Sequence, residues 1–287
     1  MYAGNLTDVG GMRELLARHG FSFSKALGQN FLINPSVCPR MAEACGASPQ
    51  GGVLEIGPGI GPLTAELAKR AGKVVSIELD RALLPVLAET VGDLPNVEIV
   101  PGDALRLDLE GLIAEKFQGL TPMVCANLPY NITTPVLTKL AGIPSLTALT
   151  VLIQKEAAQR FTAPQGSPEI GAFPLQLQYR METELLFDVE PECFLPRPKV
   201  TSTVLRCVRR QQPAVAVRDE ALFQKVLKGA FLLRRKTLSN SLASALPQFS
   251  KEEIQAAIAE CGLPATVRGE ALSLAEFAAL TEALAKG

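Results

Sequence analysis

Only one histidine, His19, occurs in 287 residues, so imidazole-based zinc sites and Ser-His-Asp triads lack their parts. His19 reads as a surface residue at a helix end. No Cys-x-x-Cys pair exists: the six cysteines are scattered, and Cys125 sits in an apolar, strand-like run, the pattern of buried or free thiols rather than of a disulfide framework. No apolar run approaches the ~20 residues that span a membrane. The first thirty residues carry charges and glycine turns instead of an apolar core behind a basic start. A soluble, cytoplasmic protein with no metal and no membrane partner is expected. Internal repeats and low-complexity tracts are missing as well. What is abundant is apolar residue, 47% of the chain, enough for a real core in one large or two moderate domains.

The formal net charge of −1 hides an uneven distribution. Between Cys193 and Asn240 stand eleven basic residues, among them Arg197, Lys199, Arg234, Arg235 and Lys236, against Asp219 and Glu220. That segment is +9, which leaves −10 for the rest. Such asymmetry points to a polyanion-binding surface, the alternative being a solvated basic face.

Residues 53–61, Val-Leu-Glu-Ile-Gly-Pro-Gly-Ile-Gly, organise the chain. A short apolar run breaks into Gly57, Gly59 and Gly61, and an amphipathic segment follows, which predicts a strand, a tight turn and a helix. Glycine suits backbone that turns sharply or lies against a ligand, and the helix start offers free N–H groups; ordinary turn glycines are the alternative. Strands at 74–78, 97–100, 123–126 and 148–153 then alternate with helices at 81–91, 109–117, 135–140 and 154–161, the pattern of a parallel sheet covered on both faces. Segments 173–187 and 200–208 read as β-strands that add an antiparallel edge. Residues 1–210 form one expected α/β domain, 211–217 a linker, and 218–287 a small helical domain.

Ligands of such sheets lie at the carboxyl ends of the strands. Those ends carry the glycines, Glu78, Asp103 and Asn127. Glu78 stands at the spacing from which a carboxylate reaches a ribose diol, and Asp103 can accept from an adenine amino group. Singly, either acid is as readily a helix cap. The motif G-x-G-x-G is not the dinucleotide G-x-G-x-x-G, and neither a P-loop lysine nor a hydride-transfer histidine is present. A nucleoside without pyrophosphate fits better, and S-adenosylmethionine is one. Gln29 and Asn30, beside Phe31 and Leu32, either pack or close over that ligand.

Asn127-Leu128-Pro129-Tyr130 carries the expected chemistry. An adenine N6 is a poor nucleophile because its lone pair is delocalised into the ring. If the Asn127 side-chain oxygen and the Leu128 carbonyl each accept one N6 hydrogen, the nitrogen pyramidalises and its lone pair can meet a sulfonium methyl. Pro129 stiffens the turn and Tyr130 offers a stacking face.

The runs Lys-Ala-Leu-Gly-Gln-Asn-Phe-Leu (25–32), Glu-Ile-Gly-Pro-Gly-Ile-Gly-Pro-Leu-Thr (55–64), Asn-Leu-Pro-Tyr-Asn-Ile (127–132), Gln-Lys-Glu-Ala-Ala-Gln-Arg (154–160), Phe-Leu-Pro-Arg-Pro-Lys-Val-Thr-Ser (194–202) and Arg-Arg-Lys-Thr-Leu-Ser-Asn (234–240) together resemble the ribosomal RNA adenine dimethyltransferases. The resemblance covers almost the whole chain. It implies an α/β class I methyltransferase fold, Rossmann-like and mainly parallel with an antiparallel edge, plus a small all-α C-terminal domain. It also implies S-adenosylmethionine as cofactor and dimethylation of two adjacent adenosines near the 3′ end of 16S rRNA in the small ribosomal subunit. The family's cofactor contacts fall on Asn30, Leu32, Gly57, Glu78, Asp103 and Asn127, and its second base-stacking aromatic on Phe194. The segment 163–173 departs from the family's usual form and lacks its lysine, which bears on substrate-loop contacts there. Two other readings share these motifs: a single-site rRNA methylase of the antibiotic-resistance type, and a non-catalytic assembly or transcription factor that keeps the fold.

Overall fold

The computed structural model describes residues 4–23 and 28–286; Lys25, Ala26 and Leu27 of the first family motif lie outside the described residues. Helix α1 (Val9–Arg18) starts at Asp8, whose Oδ2 accepts the Gly11 N–H at 2.7 Å, and it buries Met12, Leu15 and Leu16. A two-residue strand, β1 (Phe31–Leu32), and α2 (Val37–Ala44) lead to β2 (Gly51–Ile56). Strand and helix then alternate through α3 (Pro62–Ala68), β3 (Lys73–Glu78), α4 (Leu84–Thr90), β4 (Val97–Pro101), α5 (Leu109–Lys116), β5 (Thr121–Asn127), α6 (Thr133–Ala141), β6 (Ala148–Gln154) and α7 (Lys155–Phe161). After α8 (Ala172–Arg180) come β7 (Met181–Val189), β8 (Phe194–Leu195) and β9 (Ser202–Arg209). Four helices follow: α9 (Glu220–Ala230), α10 (Leu238–Ala245), α11 (Lys251–Glu260) and α12 (Leu274–Leu284).

Seven strands form one sheet in the order β4-β3-β2-β5-β6-β9-β7. From β4 to β6 the pairs are parallel, because each strand returns to the same end through a helix. All six residues of β2 are buried, as a central strand covered on both faces requires. β9 runs antiparallel to β6, from Ala148 opposite Val208 to Gln154 opposite Ser202. The expected Rossmann-like sheet with an antiparallel edge is therefore present. Chain order reverses between β2 and β5, and that switch point opens a crevice at the carboxyl ends. Apart from the sheet, β1 pairs with β8, Phe31 opposite Leu195 and Leu32 opposite Phe194.

The chain separates into two compact units, one of residues up to Ala158 with Glu184–Arg209, the other of Gln159–Thr183 with Arg210 onward. In the second unit, Tyr179, Phe223, Leu227, Leu238, Ile254 and Phe277 share one buried cluster. Ser250 with Glu253 and Ser273 with Glu276 form capping boxes that start α11 and α12. Pro247 and Gly262–Pro264 fall between helices, and Gly269 begins a single 3-10 turn ahead of α12.

One sequence expectation is overturned here. Phe173–Arg180 is helical, not β. Its alternating apolar residues mimic a strand because the helix is covered on more than one side: Phe173 meets Phe161 edge-on at 5.0 Å, and the Tyr179 ring lies 4.9 Å from that of Phe223.

Candidate active site

A cleft of about 1040 Å³, counting its open mouth, lies at the carboxyl ends of β2 to β5. After β2 the chain turns through Gly57 (φ +71°), Gly59 (φ +61°) and Gly61 (φ +95°), all in the left-handed region that side chains avoid. A Cβ on Gly59 would also stand 3.1 Å from the Phe31 ring. Gly57 and Gly59 line the cleft, whereas Gly61, expected to do so, is not among the lining residues. Gly61 instead precedes α3, where a Cβ would stand 2.8 Å from Val91 Cγ1. Its role is close packing.

At the end of β3, Glu78 is 6% exposed. Its Oε1 accepts the Asp80 N–H at 2.7 Å, yet burial dominates and pushes the carboxyl up to about 7. Asp80 in turn accepts from Gln29 Nε2 at 2.7 Å, so the segment before β1 is moored to the end of β3. Leu32, 2% exposed, also lines the cleft. After β4, the Asp103 carboxylate accepts the Leu105 N–H at 2.9 Å and lies 3.4 Å from Nε of the exposed Arg106.

Asn127 closes β5. Its Nδ2 donates to the Asn30 carbonyl at 3.0 Å, which orients the amide and leaves Oδ1 as the remaining acceptor. Asn30 Nδ2 donates to the Gly28 carbonyl at 3.1 Å. The Leu128 N–H is spent on the Leu152 carbonyl at 3.1 Å. Its own carbonyl accepts no hydrogen bond among the described residues. The Pro129 carbonyl accepts from the Ile132 N–H and from Thr133 Oγ1, each at 3.2 Å, and so starts α6. The Tyr130 hydroxyl is 2.7 Å from that of Ser202 on β9, and burial raises its pKa. Asn127, Leu128, Pro129 and Tyr130 line the same cleft as Gly57, Glu78 and Asp103.

Phe194 does not. It is 2% exposed and packed with Leu32, Val37, Leu63 and Val204, because its pairing with Leu32 draws the ring into the core. It has no face to give a base.

Glu55 escaped the sequence reading. It lines the cleft at 1% exposure, and its Oε2 accepts from Thr64 Oγ1 at 2.6 Å and Ser76 Oγ at 2.7 Å. Burial outweighs those bonds and pushes its carboxyl up to about 7. The legible signal was a charged residue inside an otherwise apolar central strand. Among the described residues the cleft thus presents Glu55, Glu78 and Asp103 and no basic side chain. This set of acceptors suits the diol, amino group and positive charge of S-adenosylmethionine, and is unsuited to a pyrophosphate.

The basic segment divides. Arg209 spends its guanidinium on the carbonyls of Leu146, Ala141 and Ile143, while Arg210 pairs with Glu182 and Arg218 with Glu282. Arg197, Lys199, Arg234, Arg235 and Lys236 are exposed. Arg197 pairs with Glu192, and Arg234 donates to the Pro168 carbonyl at 3.0 Å. The basic charge free of partners within the protein is smaller than the sequence count.

The sequence model of the ribosomal RNA adenine dimethylase family matches residues 20–286. The ribosomal RNA small subunit methyltransferase A of Geobacillus thermodenitrificans is 45% identical over 285 residues, covering 98% of this chain and 97% of its own length. That of Streptococcus gordonii is 43% identical over 284 residues, covering 97% and 98%. Among solved structures, the 23S rRNA methyltransferase ErmE superposes with a TM-score of 0.65 at 26% identity, over 89% of this chain and 99% of its own. A dimethyladenosine transferase from Plasmodium falciparum gives 0.72 at 22% identity, over 87% and 95%.

Proposed function

This chain belongs to the ribosomal RNA adenine dimethylase family, and from that premise we propose that it transfers methyl groups from S-adenosylmethionine to N6 of two adjacent adenosines near the 3′ end of 16S rRNA in the small ribosomal subunit. The observation that carries this reading is the sharing of one cleft by Glu78, Asp103 and the Asn127–Tyr130 turn. S-adenosylmethionine, when bound, supplies an electrophilic methyl on a sulfonium. Glu78 accepts from the ribose hydroxyls and Asp103 from the adenine amino group, while Gly57, Gly59, Gln29, Asn30 and Leu32 wall the pocket. Asn127 Oδ1 and the Leu128 carbonyl accept the two hydrogens of the target N6 and turn its lone pair toward the methyl. No side chain needs to take the proton, since the methylated nitrogen can lose it to water. Positioning does most of the work.

Tyr130 stacks on the extruded base, held by Ser202. Arg197, Lys199, Arg234, Arg235 and Lys236 meet rRNA phosphates. Residues 218–287 serve as the rRNA-binding domain. No helix among the described residues is long and apolar enough to cross a membrane; action on ribosomal RNA in the cytoplasm is part of this reading.

Small subunits lacking the modification, incubated with labelled S-adenosylmethionine and mapped by primer extension, test this. Dimethylation of two adjacent adenosines is expected, with Asn127→Ala slowing single-turnover transfer about 100- to 1000-fold at little cost in RNA affinity. Methylation confined to large-subunit rRNA would transfer the protein to the antibiotic-resistance branch. An unimpaired Asn127→Ala would remove the mechanism.

A further inference from the structure

Helix α6 opens on the Asn127–Tyr130 turn, and its last turn carries Lys139. The Lys139 ammonium donates to three carbonyls of the loop that follows β4: Ala104 at 3.0 Å, Leu105 at 2.9 Å and Leu107 at 2.5 Å. An ammonium has three protons and no acceptor, so all its donors are spent on that loop. The N–H groups of the same loop point the other way. Leu105 N–H reaches the Asp103 carboxylate at 2.9 Å, and the N–H groups of Arg106 and Leu107 reach the Asp103 carbonyl, each at 2.9 Å. The 103–107 turn is therefore a short row of aligned peptide dipoles with a carboxylate at its N–H end and an ammonium at its carbonyl end. Both ends of α6 are tied down. Thr133 Oγ1 donates to the Pro129 carbonyl at the start, and the Arg209 guanidinium binds the Ala141 and Ile143 carbonyls at the finish.

We propose that Lys139 is a positioning residue for the adenine end of the cofactor cleft: it clamps the 103–107 turn to α6 and so sets Asp103 against the Asn127–Tyr130 turn. The proposal rests on the reading that Asp103 accepts from the adenine amino group. A lysine that merely stabilised the fold would change affinity for every cofactor analogue alike. A lysine that aims Asp103 changes the choice between a ligand with an amino donor at that ring position and one without it.

The test is calorimetric binding of S-adenosylhomocysteine and of S-inosylhomocysteine, which carries a carbonyl in place of the amino group, to the full chain. Wild type favours the adenosyl ligand. Lys139→Met, which keeps the apolar stem and removes the donors, should lower the ratio of the two affinities about three- to tenfold, the worth of one hydrogen bond. Asp103→Asn, which puts a donor opposite the amino group, should lower it at least as much. If Lys139→Met does not fold, Lys139→Arg carries the same test with a smaller drop, since a planar guanidinium cannot serve three converging carbonyls as an ammonium does. A ratio that falls in both the Asp103 and Lys139 variants supports the proposal. A ratio that falls only in Asp103→Asn overturns the role of Lys139 and leaves the Asp103 reading standing. An unchanged ratio in Asp103→Asn overturns that reading and the proposal with it.

Discussion

Glu55 is a carboxyl that the free protein holds at a cost once it ionises. At 1% exposure, burial pushes its pKa from 4.5 up to about 7 despite the hydroxyls of Thr64 and Ser76. Between those two values the folded chain keeps a proton that the unfolded chain has released. The contribution of this group to stability is then fully present below pH 4.5 and is lost as pH rises through about 7. At about 1.4 kcal/mol per pH unit, that interval amounts to about 3 kcal/mol. Glu55→Gln is neutral at every pH, and its carbonyl can accept from the same two hydroxyls. The substitution should raise stability by under about 1 kcal/mol at pH 5 and by about 3 kcal/mol at pH 8. Urea unfolding followed by circular dichroism at both pH values, without cofactor, measures this. An equal difference between variant and wild type at pH 5 and pH 8 would refute the reasoning, since Glu78 titrates in both proteins and only ionisation of Glu55 separates their responses to pH.

Affinity for S-adenosylmethionine should rise with pH between about 5.5 and 7.5, a window below the usual α-amino range, because Glu78, held at about 7, accepts from the ribose best as a carboxylate; Glu78→Ala should weaken binding by about 1.5–3 kcal/mol and flatten the rise. Calorimetry that shows neither change would remove Glu78 from the site. Replacing Arg234, Arg235 and Lys236 together by alanine should reduce the salt dependence of small-subunit binding by about 0.7–0.9 in slope for each phosphate no longer neutralised, with cofactor affinity intact; an unaltered slope in a filter-binding titration makes these residues a solvated face. Tyr130→Phe removes the 2.7 Å bond to the buried Ser202 hydroxyl and should cost about 1–2 kcal/mol of stability while keeping most of the single-turnover rate, so an inactive but folded variant would show that the hydroxyl itself serves the reaction.

The parallel sheet was legible because each βα unit is local. An apolar run, a turn and an amphipathic segment lie within about thirty residues, and the pattern repeats. The strand-end residues were legible for the same reason: Glu78, Asp103 and Asn127 each follow directly on a readable strand. Phe173–Arg180 was not, because period-two apolar spacing is as compatible with a helix covered on several sides as with a strand. Only the rings of Phe161 and Phe223, distant in sequence, decide between the two.

Glycine and aromatic residues in a motif carry a similar ambiguity. Gly57, Gly59 and Gly61 alternate and share positive φ, yet a ligand-facing glycine and a packing glycine differ only in what stands where the Cβ would be: nothing nearer than Pro129 Cδ at 3.8 Å at Gly57, against Val91 Cγ1 at 2.8 Å at Gly61. Phe194 and Tyr130 sit in equally suggestive motifs, and pairing separates them. Tyr130 is tethered at its hydroxyl, which leaves the ring on the cleft wall, whereas the partner of Phe194 is the backbone of Leu32, which carries the ring inward. Lys139 and Glu55 were the least legible of all. Each works through groups supplied by other elements, three carbonyls after β4 for the lysine, hydroxyls on α3 and β3 for the acid. A lysine on a helix and an acid in a strand announce that something must compensate them, and only the fold says what does.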